Sequence, residues 1–167
     1  MWLDADSALT HLDRLNAAAL AMAGNRADAE DLVQETVLTL VLRPRRLRGT
    51  SELAYLMTML RNRHIDLCRS AARRRQTPAV YELEEAVDPR AGLRPDRVVE
   101  DREVVGAVHA LESPFRETVV AVDVLGLSYK EAAKALGVPV GTVMSRLARG
   151  RDRVVRAVSP EPELALC

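Results

Sequence analysis

Apolar side chains return every three or four positions from about residue 4 to residue 75, and the same period resumes from about residue 96 to residue 158. That spacing lines one side of a helix, not one face of a strand. The first stretch predicts a helix from about Asp4 to Ala23, stopped by Gly24-Asn25. A second starts after Asp28, a good N-cap, and runs to about Leu42. Arg43-Pro44 ends it, because a residue before proline is pushed out of the helical region. A basic loop, Arg43 to Thr50, leads to a third helix that starts at Thr50 or Ser51 and reaches about Arg75. From Gln76 to Pro95 the period collapses among three prolines, Gly92 and a cluster of acids, which predicts a flexible linker of about twenty residues. Helix resumes near Asp96 and continues to about Leu111, and Pro114 suits the first turn of the next, ending near Val124. A frayed tail is expected from Ser159.

The pattern is sharpest between Gly126 and Arg151. Ser128 and Glu131 have the spacing of a capping box, so a helix starts there with Ala132, Ala133 and Leu136 on its apolar face. Gly137 suits the left-handed residue that ends a helix, and Pro139 cannot continue it. A second helix opens near Val140 to Thr142. On its wheel Val143, Leu147, Gly150 and Val154 fall together; Thr142, Arg146, Arg149 and Arg153 fall together about a quarter-turn away, with Ser145 beside them. One side packs and another can enter a major groove, which is the logic of a DNA-binding helix-turn-helix.

Two earlier helices carry unusual faces. On the third, Leu53, Met57, Leu60, His64, Leu67, Cys68 and Ala71 share one side, opposite Tyr55, Asn62, Asp66, Arg69 and Arg73. The second set mixes an aromatic, an amide, a carboxylate and two guanidiniums, groups that meet bases and phosphates; an ordinary solvated face also carries arginine and aspartate. On the second helix Ala29, Val33, Thr36, Val37 and Leu40 form the packing side. Leu38 and Leu42 fall on the far side among Asp31, Gln34 and Glu35, either as a surface for another protein or as a strip covered by the first helix.

Composition narrows the class. There are only five aromatic residues, and few β-branched runs alternate with polar ones, so an all-α fold is favoured. Net charge is zero, but residues 1–80 carry +3, residues 81–103 carry −4, residues 104–158 carry +3 and the last nine carry −2. Two basic blocks flank an acidic segment, as two DNA-facing modules on a linker would. No apolar run approaches a membrane span, and the N-terminus has no signal-peptide core, so a cytoplasmic protein without membrane insertion is expected. Cys68 and Cys167 make no disulfide framework. His64 and Cys68 sit four apart, but with no second ligand pair nearby they read as a core histidine beside a core thiol, not as a metal site. No Gly-rich phosphate loop, nucleophile elbow or zinc-spaced Cys/His cluster occurs, so neither catalysis nor a cofactor is expected.

Three segments together resemble the bacterial sigma factors of RNA polymerase, of the sigma-70 family's extracytoplasmic-function group. Asp28-Ala-Glu-Asp-Leu-Val-Gln-Glu-Thr36 is similar to the polymerase-binding segment of the family's region 2. Leu60-Arg-Asn-Arg-His-Ile-Asp-Leu-Cys-Arg69 is similar to its promoter-reading helix. Gly126 to Ala133 and Gly137 to Leu147 are similar to region 4. The resemblance implies two helical domains: a three-helix-type region 2 over 1–75 and a region 4 helix-turn-helix over 96–158, joined by an acidic linker over 76–95 and followed by a tail over 159–167. It implies that Asp31, Gln34, Glu35 and Leu38 grip core RNA polymerase. Tyr55, Asn62, Asp66, Arg69 and Arg73 would lie on the promoter's minus-ten element, with Arg45, Arg46 and Arg48 in a loop that holds a flipped base. Thr142, Ser145, Arg146, Arg149 and Arg153 would meet the minus-thirty-five element. The implied function is transcription initiation, with a separate anti-sigma factor as regulator. Two alternatives remain at this point: a sigma-like decoy that titrates an anti-sigma factor, and a dimeric helix-turn-helix regulator. The chain departs from the family pattern at Val37, often Phe there, at Tyr55, often Trp, and at Glu112, usually Pro. Met144 stands at a recognition-helix position that is usually Lys or Arg, so a DNA contact is lost there or replaced by an apolar one.

Overall fold

The computed structural model describes residues 2–76 and 95–159, with side chains placed for 2–74 and 102–159. The expected linker falls almost wholly outside those residues, as does the tail beyond Ser159. In chain order the elements are β1 (Trp2–Leu3), α1 (Ala5–Leu9), α2 (Leu12–Ala23), α3 (Arg26–Leu42), β2 (Arg45–Arg46), α4 (Glu52–Gln76), α5 (Pro95–Ala110), α6 (Ser113–Val119), a π-turn (Val120–Val124), α7 (Tyr129–Leu136) and α8 (Val140–Val158).

Local chemistry sets most boundaries. The Asp4 carboxylate accepts from the Ser7 amide at 2.9 Å and starts α1. That bond holds the Asp4 carboxyl below its usual pKa. The single helix expected from Asp4 to Ala23 is instead broken at Thr10–His11, where the Thr10 hydroxyl donates to the Ser7 carbonyl at 2.7 Å. The cap of α3 is Asn25, not Asp28: its side chain accepts from the Asp28 amide at 2.9 Å, and the helix begins three residues early. Helix α3 ends at Arg43 before Pro44, as expected. The loop after it is not free. Trp2–Leu3 and Arg45–Arg46 pair antiparallel, Trp2 opposite Arg46 and Leu3 opposite Arg45. Leu3 is fully buried and anchors the ladder by about 1.5–3 kcal/mol.

Helices α2, α3 and α4 form one bundle, with Leu15, Met22, Leu32, Leu40, Leu56, Met57 and Leu60 inaccessible between them. In the second half α6 and α8 pack so closely that a Cβ on Gly150 would come within 2.7 Å of Val119. The capping box at Ser128–Glu131 forms, with the Ser128 amide donating to Glu131 at 2.9 Å. The Ser128 bonds keep the Glu131 carboxyl below its usual pKa. Gly137 ends α7 in the left-handed region at φ 68°, and α8 follows at Val140.

The two halves pack against each other, α2 on α5 and the π-turn, α4 on α7. Arg61 of α4 donates to Glu117 of α6 at 2.6 Å, and Ser113 donates to the other oxygen of Glu117 at 2.8 Å. Lys134 of α7 reaches the Gly49 carbonyl at 2.7 Å. His109 of α5 lies 3.1 Å from the Met22 carbonyl and fills the space where a Cβ on Gly24 would sit, 2.4 Å from its ring nitrogen. His64 lies in this interface; burial, aided by Arg116, pushes its pKa down.

Candidate nucleic-acid interface

Helix α3 turns one side to the core and the other to solvent. Ala29, Leu32, Val33, Thr36 and Leu40 are buried, and the Thr36 hydroxyl donates to the Leu32 carbonyl at 2.7 Å, which satisfies it inside the bundle. On the far side Asp31 and Gln34 are exposed, and Leu38 and Leu42 are 54% and 71% exposed. The first helices do not cover them. Val41, 56% exposed, joins the same patch; its position three residues after Leu38 places it there on the wheel. Three apolar side chains at the end of an acidic helix form a surface suited to another protein.

Glu35 behaves differently from its neighbours. It is half-buried and ion-paired with Arg63 of α4, so it faces inward across the helix pair. That pair forms one wall of a cavity of about 270 Å³ between α3, β2 and α4. The cavity brings together residues expected in separate groups: Tyr55, Asn62 and Asp66 from α4, Arg45 from the loop, and Glu35 from α3. Thr36, Thr39, Leu40 and Arg43 also line it, as do Met59 and Arg63 of α4, of which Arg63 lies three residues before Asp66 on the same side of the helix. The pairing of Leu3 with Arg45 holds the loop at the cavity mouth. At just under the ~300–1,000 Å³ of ordinary ligand pockets, the volume suits one planar heterocycle. A phenol ring can stack on such a group while an amide and a carboxylate bond its edge. Arg69 and Arg73 are exposed one and two turns further along α4, and Arg46 and Arg48 are exposed outside the cavity.

Cys68 is exposed, with its sulfur 3.6 Å from His64 Nε2, which corrects the expectation of a core thiol. Helix α4 passes beyond the bundle before residue 68, so a position on the apolar side of the wheel still meets water. No group of three metal-ligating side chains occurs among the described residues.

Helix α8 buries Val143, Leu147 and Gly150, leaving Val140, Gly141, Met144, Ser145, Ala148 and Arg149 exposed. Its arginines divide into two kinds. Arg151 makes a two-pronged pair with Asp123 at 2.6 and 3.0 Å, and these bonds raise its pKa. Arg156 pairs with Asp152 at 3.1 Å. Arg153 lies over the Phe115 ring at 4.2 Å and reaches Glu112 at 3.4 Å. Arg146 and Arg149 have no ion pair among the described residues and stand on the same side as Thr142 and Ser145. Of the three arginines expected to meet DNA, Arg153 is thus the one held by the protein's own groups among the described residues. The reason is tertiary: Phe115 and Glu112 are 38 and 41 residues distant in sequence.

No described helix is long and apolar enough to cross a membrane. Residues 8–74 match the model of sigma-70 region 2, and residues 102–154 match that of sigma-70 region 4. The ECF RNA polymerase sigma factor SigE of Mycolicibacterium smegmatis is 35% identical over 151 residues, covering 86% of this chain and 57% of its own length. The chain thus spans little more than half of that relative. The ECF sigma factor EcfG of Rhodopseudomonas palustris is 34% identical over 155 residues, covering 89% of this chain and 81% of EcfG. The sigma factor RpoE of Bartonella quintana, crystallised with the anti-sigma factor NepR, superposes with a TM-score of 0.71 at 26% identity, covering 92% of this chain and 95% of RpoE.

Proposed function

Since the chain belongs to the sigma-70 family, in its extracytoplasmic-function group, we propose that it is a dissociable initiation subunit that binds core RNA polymerase, directs it to two-part promoters and assists melting. The protein is not an enzyme: its work is binding and strand separation, and the polymerase makes the bonds. Residues 1–75 act as the module for polymerase and the minus-ten element, and residues 96–158 as the module for the minus-thirty-five element. The Asp31–Gln34–Leu38 face, extended by Val41 and Leu42, docks on polymerase. Glu35 takes part by fixing Arg63 at the cavity wall. Arg146 and Arg149 engage the upstream duplex with Thr142 and Ser145; Arg153 sets the angle of α8 by holding Phe115. The protein works in the cytoplasm, and a separate anti-sigma protein, of the kind crystallised with RpoE, restrains it.

The observation that carries this reading is the α3–α4 cavity. Tyr55, Asn62 and Asp66 line a space fit for one unstacked base, with Arg45 beside it. A decoy that only titrates an anti-sigma factor has no use for such a pocket, nor for two untied arginines on α8. Extruding a base costs a few kcal/mol, which stacking on Tyr55 and edge bonds to Asn62 and Asp66 offset.

The test is in vitro transcription with purified core polymerase on a library of promoter fragments. Start sites that appear only with this protein are expected. Asp31→Arg combined with Leu38→Ala should abolish them while both helical groups stay folded by circular dichroism. Unaided tight binding to duplex DNA, with no affinity for core polymerase, would instead establish a dimeric regulator.

A further inference from the structure

The leading surface of α8 is apolar where a helix entering a charged groove would be expected to be polar. Met144 is 53% exposed and Val140 38% exposed, and Ala148 and Gly141 lie bare beside them. The Ser145 hydroxyl, the polar group at the centre of this surface, donates to the Thr142 carbonyl at 3.1 Å and is thus turned back on its own helix. Among the described residues, Met144 takes no part in the buried core. The core contacts of α8 are made by Val143, Leu147 and Gly150. The two guanidiniums left untied, Arg146 and Arg149, stand together beyond Ser145 on one side of the apolar strip and supply the charge that brings a phosphate backbone to the helix.

Major-groove edges offer one exposed apolar group, the C5-methyl of thymine. We propose that Met144, with Ala148, is a specificity-determining residue that reads thymine methyl groups in the upstream promoter element. The proposal rests on the reading of α8 as the groove-entering helix. Met144 and Ala148 are four residues apart, about 6 Å along the helix axis, and successive base pairs are about 3.4 Å apart. The two side chains therefore address methyls about two steps apart. A thioether on three rotatable bonds adapts to a methyl at either of two neighbouring steps, which a branched side chain could not do. Arg146 and Arg149 bond phosphates or guanine edges on the side beyond Ser145, so the element recognised combines thymine with charge contacts along one edge of the helix.

The experiment uses the full chain assembled with core polymerase. Fragments that support specific initiation define the upstream element, and each thymine in it is then replaced, one at a time, by deoxyuridine, which differs only in lacking the methyl. Binding is measured for the wild type and for Met144→Ala. At one or two positions the wild-type complex should lose about fourfold in affinity, the worth of one buried methyl-sized group at ~0.8 kcal/mol. The Met144→Ala complex should bind thymine and uracil templates alike there, with unchanged affinity for core polymerase. Met144→Lys should lose the methyl dependence and gain preference for guanine at the same step. Indifference of the wild type to every methyl, or an undiminished methyl effect in Met144→Ala, overturns the proposal while leaving the initiation function intact. If no fragment supports initiation, the initiation function fails and the proposal falls with it.

Discussion

Arg61→Ala deletes the guanidinium that reaches Glu117 across the interface between the two halves. The Glu117 side chain is only 9% exposed, so its carboxylate would be left in a poorly solvated place with the Ser113 hydroxyl as its remaining partner. Removing one member of a fully buried pair costs ~3–5 kcal/mol. Two features lower that figure here. The Arg61 side chain is 28% exposed, so water can follow its removal, and the Ser113 bond survives. The expected loss is about 2–3 kcal/mol, or ~4–12 °C in Tm for a chain of this size. Replacing both residues by leucine should recover most of it, because the pair's desolvation cost disappears with its attraction. Urea unfolding followed by circular dichroism, run as a double-mutant cycle with Glu117→Ala, reads the coupling directly. It should exceed ~1 kcal/mol. A coupling near zero with an Arg61→Ala loss below ~0.5 kcal/mol would refute the reasoning, since it would mean that the halves do not pack through this pair in solution.

Three further outcomes are expected. His64 has its pKa lowered in the folded protein by burial and by Arg116, with His109 acting the same way and Glu117 and Asp28 opposing. Its stabilising share is therefore complete above the unfolded value near 6.5 and is lost as pH falls below it toward the folded value; His64→Gln should flatten the pH dependence of unfolding in that window, and an unchanged slope would exclude His64 as its source. Gly24→Ala places a Cβ against the His109 ring at φ 81°, costing ~1–2 kcal/mol for the backbone and a further ~1 kcal/mol for the displaced ring; His109→Ala should relieve only the second part in thermal denaturation. The proposed engagement of both elements requires the halves to separate: elements named minus-ten and minus-thirty-five lie about 25 base pairs apart, ~85 Å of duplex, whereas a compact chain of this length is ~40 Å across. Fluorophores at Cys68 and an introduced Ala157→Cys, with Cys167→Ser, should show energy transfer that falls on formation of the promoter complex; unchanged transfer would contradict the separation.

Much of this protein is written in short-range sequence. The capping box at Ser128–Glu131, the left-handed Gly137 and the proline stops at 44 and 139 act within one helical turn, so they announce α3, α7 and α8 without knowledge of the rest. The faces of α3 and α8 were legible for the same reason: a period of 3.6 residues separates a buried side from an exposed one wherever a helix lies on a single core. Helix α4 shows where that reasoning ends, since its far end leaves the bundle and Cys68 meets solvent on the apolar side of the wheel.

What lay beyond the sequence depends on contacts between distant residues. The break at Thr10–His11 is the local exception, a Thr10 side-chain bond to the Ser7 carbonyl only three residues away, a competitor of the helix that residue spacing alone does not announce. The two-residue ladder of Leu3 with Arg45 is too short to leave a pattern, yet it holds the basic loop at the cavity. Helical spacing marked Tyr55, Asn62 and Asp66 as one face, but only the approach of α3 and β2 made that face the wall of a half-open cavity and turned Glu35 toward it through Arg63. The division of the α8 arginines was likewise tertiary. All carry the same charge in the sequence, and the positions of Asp123, Glu112 and Phe115 decide which are held by the protein's own groups and which have no ion pair among the described residues.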